Sequence, residues 1–403
     1  MSAKWLSAAF SKLAIVQDER LKFCLLAAPA MAILFAIMFD PLFLQAGIVG
    51  TESQQDYAAF HGAGRAALQG FDGNLYNPII FQEVLGSETT LLWLYPPHML
   101  FALIPFGVFS YSTAKWLMIA VVIGAAYLVC RLASGSRLLG VAGIFSPASF
   151  AALFVGQIGG LFALMMTAGL ILVRKRPYLA GACLGLLTIK PQLGLLIVSY
   201  LLLERAWKTI ITATFVAGGL VVVSVAVFGI DMWGQFFSSL LEGTHAAYYE
   251  SSGHSGRFTL SDALKGIGIV PPSAPLLYGP LILLAIMGQF FLAKKNNHII
   301  SISYTLIATA AVSPYMFAYD YLIVHAGLLI VMTNLNQLGR LPAWCLAALW
   351  FSPLMVFMGA GSLTPSFAWP LTLIGSIIVF GYGMGFWKQK SHVHNTSTQL
   401  SAA

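Results

Sequence analysis

Residues 178–203 read YLAGACLGLLTIKPQLGLLIVSYLLL and lie between two basic clusters, Arg174-Lys175-Arg176 on one side and Arg205 with Lys208 on the other. Short loops rich in Lys and Arg mark the cytoplasmic side of a membrane protein, so both ends of this apolar stretch belong on one side of a bilayer. Its 26 residues are too few for two crossings, which need roughly 40. The sequence Ile189-Lys190-Pro191-Gln192 lies at its centre, where Pro191 removes a helix hydrogen bond. The stretch therefore predicts two short helices that meet within the membrane. Non-helical backbone at that depth is tolerated only beside a polar cavity, and Lys190 is expected to face one.

The rest of the chain agrees with a membrane setting. Of 403 residues, 59% are apolar and only 9% are charged, against about 25% charged in a soluble domain. This excludes an ordinary soluble enzyme. A disordered or collagen-like chain is excluded by 13% aromatic content. The net charge of +7 gathers in short runs between apolar segments, including Lys294-Lys295 and Lys388-Gln389-Lys390. That pattern is one of topology and points to no nucleic-acid partner. Cys24, Cys130, Cys183 and Cys345 sit in apolar segments without metal-ligand spacing, so neither a zinc site nor a disulfide framework is expected.

The expected fold is all-α, a polytopic helical bundle of about ten to twelve transmembrane helices. Residues 1–20 read as a cytoplasmic amphipathic segment, 21–387 as the membrane domain and 388–403 as a disordered cytoplasmic tail. Residues 21–39 lack a small-x-small cleavage site and are long enough to span, so they read as the first crossing. Two polar loops, 40–90 and 231–274, then fall outside. Strict alternation leaves Arg131 and Arg137 outside, against the charge rule. Pro96, Pro97 and Pro105 offer a remedy if 91–109 is re-entrant.

The first outer loop carries Asp56, Tyr57, Phe60 and His61 at helical spacing, suiting a helix on the membrane surface. Asp56 has two readings, a dipole-complementing residue three places after a Ser53 cap, or a base at the depth where a lipid-linked substrate reacts. Asn74 to Pro78 and Tyr95-Pro96-Pro97 read as turns with interfacial aromatics. Lys190 is a functional candidate because ionisable groups within membrane segments are rare. Its charge calls for an anion, either a donor phosphate or a carboxylate such as Asp320 from another helix. Tyr319, Asp320, Tyr321 and His325 form a last cluster, in which Asp320 and His325 do not share a helix face. The second outer loop adds His245, His254 and Arg257. No metal site and no cofactor is expected.

In this order, Asp56-Tyr57, Asn74-Leu75-Tyr76, Tyr95-Pro96-Pro97, Gly156-Gln157, Lys190-Pro191-Gln192 and Ser313-Pro314 with Tyr319-Asp320 resemble glycosyltransferase family 87. These are GT-C-type membrane enzymes that include mannosyltransferases and arabinofuranosyltransferases. The chain departs where the family often has Asn near Gln157, having Gly159-Gly160 instead. The resemblance implies transfer of a mannose-like or arabinofuranose-like sugar from a polyprenyl-phosphate donor to a lipid or glycan hydroxyl acceptor. It would occur at the outer face of a bacterial inner membrane, in contact with membrane lipids, and serve the cell envelope. By the same analogy Asp56 is the catalytic base; the departing lipid phosphate needs fixed positive charge, for which Lys190 and Arg257 are the candidates. Tyr57, His61, Tyr95, Gln157, Gln192, Tyr319, Asp320 and His325 are the expected substrate-binding residues. The competing reading is a secondary transporter or flippase of lipid-linked or small anionic substrates, which a buried Lys between broken helices would suit.

Overall fold

The computed structural model describes residues 55–70, 73–86, 92–242, 257–334, 340–358 and 364–386. The expected first crossing at 21–39, the segment 1–20, the Ser53 cap, His245, His254 and the tail 388–403 lie outside the described residues. Within them the chain is helical, without strands. The helices are α1 (Gln55–Leu68), α2 (Pro78–Leu85), α3 (Leu100–Gly107), α4 (Tyr111–Ser134), α5 (Arg137–Ile144) and α6 (Pro147–Val155). Next come α7 (Gly159–Leu172), α8 (Pro177–Leu186), α9 (Leu195–Leu203), α10 (Trp207–Phe228), α11 (Ile230–Leu241) and α12 (Leu260–Gly266). The last are α13 (Ala274–Lys294), α14 (His298–Val312), α15 (Leu322–Asn334), α16 (Arg340–Phe351) and α17 (Thr364–Met384). Among the described residues α4, α10, α13 and most of α17 are long and apolar enough to cross a membrane. The α5–α6 pair, bent by 42°, adds a fifth if it is one broken span.

Side-chain contacts define two ends of the bundle. At one end the Tyr57 hydroxyl donates to the carbonyl of Tyr111 at 2.6 Å, and α6 terminates at Gly156 against Tyr57. At the opposite end Arg174 and Glu204, in the loops after α7 and after α9, meet His298 at the start of α14. Helices α5 and α6 run back along α4, with Gly143 packed on Cys130 and with Ala152 and Gly156 beside Met118 and Val122. Arg131 and Arg137 therefore sit at the end of α4 away from Tyr57. The 3-10 turn Pro97–Met99 and α3 together make only eleven residues, roughly 16 Å of helix, shorter than a full crossing needs.

The 178–203 stretch folds as expected. Helix α8 passes through a 3-10 turn, Leu187–Ile189, to Lys190 at φ −127° and ψ 72°, then through a second turn, Pro191–Gly194, into α9. Small residues hold the hairpin to its neighbour. A Cβ on Gly181 would come within 2.7 Å of the Thr209 carbonyl of α10, and one on Gly185 within 2.8 Å of the Ala213 carbonyl. The four-residue spacing of these glycines lets the two backbones touch, the usual device for helix pairs in lipid. A buried amide fastens the other half. Gln289 of α13 donates to the Leu196 carbonyl and to Thr305, each at 2.9 Å, and accepts from Ser199 at 2.6 Å.

The outer-loop helix differs from expectation. Tyr57, Phe60 and Ala63, the apolar face of α1, are buried in protein. The reason is a glycine crossing, for a Cβ on either Gly64 or Gly107 would overlap the opposing backbone. Helix α1 thus docks on α3 instead of lying free on lipid.

Candidate functional site

A cavity of about 880 Å³ opens at the Tyr57 end of the bundle. Its wall brings together Asp56, Tyr95, Gln157, Lys190, Gln192, Arg257 and Tyr319, seven of the residues expected from sequence. They come from α1, the segment before α3, the α6–α7 break, the hairpin tip, the segment before α12 and the stretch between α14 and α15.

Lys190 reaches the cavity because Pro191 ends the hydrogen-bond ladder there. Its ammonium donates to Asp320 Oδ1 at 2.6 Å, and both side chains are almost wholly buried. The rings of Phe162 and Tyr319 flank the ammonium at 5.5 and 5.3 Å to their centroids, within cation–π range. Asp320 Oδ2 accepts from the Phe317 backbone at 3.3 Å. Of the two anions open to Lys190, a donor phosphate or a carboxylate from another helix, the structure supplies Asp320 from the α14–α15 connection. Gly159 makes the approach possible. A Cβ there would lie 2.7 Å from the Tyr319 carbonyl and 3.1 Å from Asp320 Oδ1.

Asp56 stands in the first turn of α1 and faces the same cavity. Gln157 Nε2 donates to its Oδ2 at 2.8 Å, and the Tyr95 hydroxyl reaches Gln157 Oε1 at 3.5 Å. A left-handed glycine positions Gln157. Gly156 ends α6 at φ +77°, and a Cβ on it would meet Tyr57 Cβ at 2.7 Å. Only glycine satisfies both demands.

Arg257 pairs with Asp262 Oδ1 at 2.7 Å. Thr259 caps α12 by accepting from the Asp262 backbone at 3.2 Å, and its hydroxyl donates to Asp262 Oδ2 at 2.5 Å. An isolated antiparallel bridge joins Arg257 to Phe317, which sets this corner beside the Lys190–Asp320 pair.

Four expected site residues line other surroundings. The Tyr57 hydroxyl is spent on Tyr111, and burial, reinforced by Tyr111, pushes its phenol far above the ordinary tyrosine value. His61 Nε2 bonds the Phe109 carbonyl at 3.1 Å. His325 is fully buried, bonds the Trp350 carbonyl at 2.9 Å through Nε2 and stacks on the Trp350 ring at 4.1 Å. Asp320 is buried behind Lys190. The first three bond to backbone carbonyls and lie outside the cavity wall.

Sequence reasoning missed Trp93, Phe236, Asp262, Lys265 and Tyr278, which also line the cavity. Thr259-x-x-Asp262 carries a recognisable helix-start signature and could have flagged Asp262. The others have no local signal, since a lone aromatic or Lys in an apolar chain reads as packing or interface.

No curated protein and no solved structure matches the chain. The family model of glycosyltransferase family 87 matches residues 93–314, more than half of the sequence and most of the cavity wall. The chain belongs to glycosyltransferase family 87 and is a membrane enzyme that transfers a sugar.

Proposed function

We propose that the enzyme moves a mannose-like or arabinofuranose-like sugar from a polyprenyl-phosphate donor to a lipid- or glycan-borne hydroxyl, with Asp56 as general base. The observation that carries this reading is the Asp56 carboxylate, presented to a cavity of about 880 Å³ and held there by Gln157, whereas Asp262, the other cavity carboxylate, is paired with Arg257. A hydroxyl acceptor must lose its proton as the glycosidic bond forms, and a positioned carboxylate can take it. The sugar leaves its phosphate, whose developing charge calls for fixed cations. Arg257 is the first candidate for that role, with Lys190, already balanced by Asp320, as a secondary contact. Tyr95, Gln192 and Tyr319 are proposed to contact the substrates.

Orientation follows from charge. Arg131, Arg137, Arg174, Lys175 and Arg176 collect at the end away from the cavity, which the positive-inside tendency assigns to the cytoplasm. The cavity then faces the outer side of a bacterial inner membrane. The decisive experiment offers radiolabelled polyprenyl-phosphate sugars, mannosyl and arabinofuranosyl, to the purified full chain in lipid nanodiscs. Release of polyprenyl phosphate that depends on acceptor and on Asp56 supports the reading. Binding or translocation of the intact lipid without release would favour the flippase alternative.

A further inference from the structure

We propose that Gln157 is the positioning residue of this site: its amide holds the Asp56 carboxylate ionised and correctly turned, and contact with substrate is not its main task. The inference rests on the general-base reading of Asp56. The polarity of the contact is fixed by chemistry. An ionised carboxylate can only accept, so the Gln157 NH₂ must face Asp56 and the amide oxygen must face away. That oxygen meets the Tyr95 hydroxyl, which can donate, at the long limit of 3.5 Å. Tyr95, Gln157 and Asp56 thus form a one-way chain that ends on the base.

The backbone holds the chain rigid. Gly156 and Gln157 both donate to the Ala152 carbonyl, at 3.0 and 2.8 Å, so the end of α6 is closed around Gln157. The first turn of α1 is pressed against that closure, because a Cβ on Gly156 would lie 3.2 Å from the Tyr57 backbone nitrogen. Asp56 and Gln157 are 101 residues apart in sequence, yet neither can move without displacing the other's helix end. Gln157 is itself buried to within 5%. A hydrogen bond to the charged form lowers a carboxyl's affinity for protons, and pinning one oxygen fixes the direction of the other.

A substrate-binding Gln and a positioning Gln differ in what their loss changes. Losing a substrate contact raises KM, whereas losing a positioning contact lowers kcat and moves the pH profile. Lys190, Arg257, Asp262 and Lys265 line the same cavity as Asp56. Lys115 and Glu83 come from helices packed on α1, and His61 and Arg65 from α1 itself. All remain in place in Gln157 variants, so a difference between variants reports the amide.

The test uses the full chain in nanodiscs and follows the carboxyl infrared band that Asp56→Asn removes. In Gln157→Met, which keeps the length and loses the donor, this band should titrate about one unit higher, the shift expected for roughly a tenfold loss in preference for the ionised form. In Gln157→Glu the shift should be larger, because two adjacent carboxyls share a proton. With a radiolabelled polyprenyl-phosphate sugar, the acid limb of kcat should move upward in step while KM changes less than kcat. An unmoved Asp56 titration in both variants, or a pure KM effect, would overturn the proposal. A moved titration combined with full transfer by Asp56→Asn would overturn its catalytic purpose, and would identify the base assignment as the failed step.

Discussion

Both ends of the bundle carry a cation–carboxylate pair, and the two pairs are not equivalent. At the cavity end Lys190 and Asp320 are 4% and 0% exposed. At the opposite end Arg174 meets Glu204 at 2.8 Å with 48% of the arginine in solvent, and His298 joins at 3.5 Å. Distance alone would rank them as equals. Burial gives the first the greater weight, because both its members are enclosed, whereas in the second only Glu204, at 9% exposed, is enclosed and the Arg174 guanidinium keeps its water.

The most severe way to break the contrast is Lys190→Gln. Removal of one partner leaves Asp320 buried and unbalanced, so stability should fall by about 3–5 kcal/mol. Thermal unfolding in detergent checks this, and the double variant Lys190→Gln with Asp320→Asn should recover much of the loss. No recovery in the double variant would mean that Lys190 acts through something other than Asp320.

Next in size is Asp56→Asn, which keeps shape and capping capacity. Transfer should drop by about 10²-fold or more, the scale of general-base catalysis, with thermal stability near that of the wild type. Turnover at the wild-type rate would remove Asp56 from the chemistry.

Gly159→Ala sharpens the comparison through packing. The new methyl meets the Tyr319 carbonyl, a backbone atom that cannot swing aside. A cost of about 1–3 kcal/mol is expected, the range for overpacked sites. Gly124→Ala, which meets nothing within 4 Å, serves as the control.

The smallest effect belongs to the basic end. Arg174→Gln should cost about 0–1 kcal/mol. Burial alone would raise the Glu204 carboxyl, but hydrogen bonds and charges from His298 and Arg174 outweigh it and hold the group below the ordinary value of 4.5. A carboxyl with a depressed folded value stabilises the protein above its unfolded value and loses that contribution as pH falls through the folded one. Acid melting curves of the wild type and Glu204→Gln should therefore differ modestly above about pH 4.5 and converge only as pH falls below that through the depressed folded value.

The fold was legible where one physical rule acts along the chain. Charge poverty, apolar runs and basic loops specify a membrane bundle, because lipid tolerates little else. Too few residues between two basic clusters specify the broken hairpin around Lys190, and Pro191 specifies where it breaks. Short motifs in a fixed order were enough to reach the family. Asp56, Tyr95, Gln157, Lys190, Gln192, Arg257 and Tyr319 were all named from sequence and all line one cavity. What sequence could not determine was who faces whom. Asp320 balances Lys190 across 130 residues of chain, and Gln157 meets Asp56 across 101. Tyr57, His61 and His325 share local pattern with the cavity residues, but packing turns them onto the Tyr111, Phe109 and Trp350 carbonyls. The apolar face of α1 has the same periodicity whether lipid or protein covers it, and only the Gly64–Gly107 crossing selects protein. Periodicity and charge are properties of a segment; pairing and burial are properties of the packed whole, and burial sets the energetic weight of every charge in this enzyme.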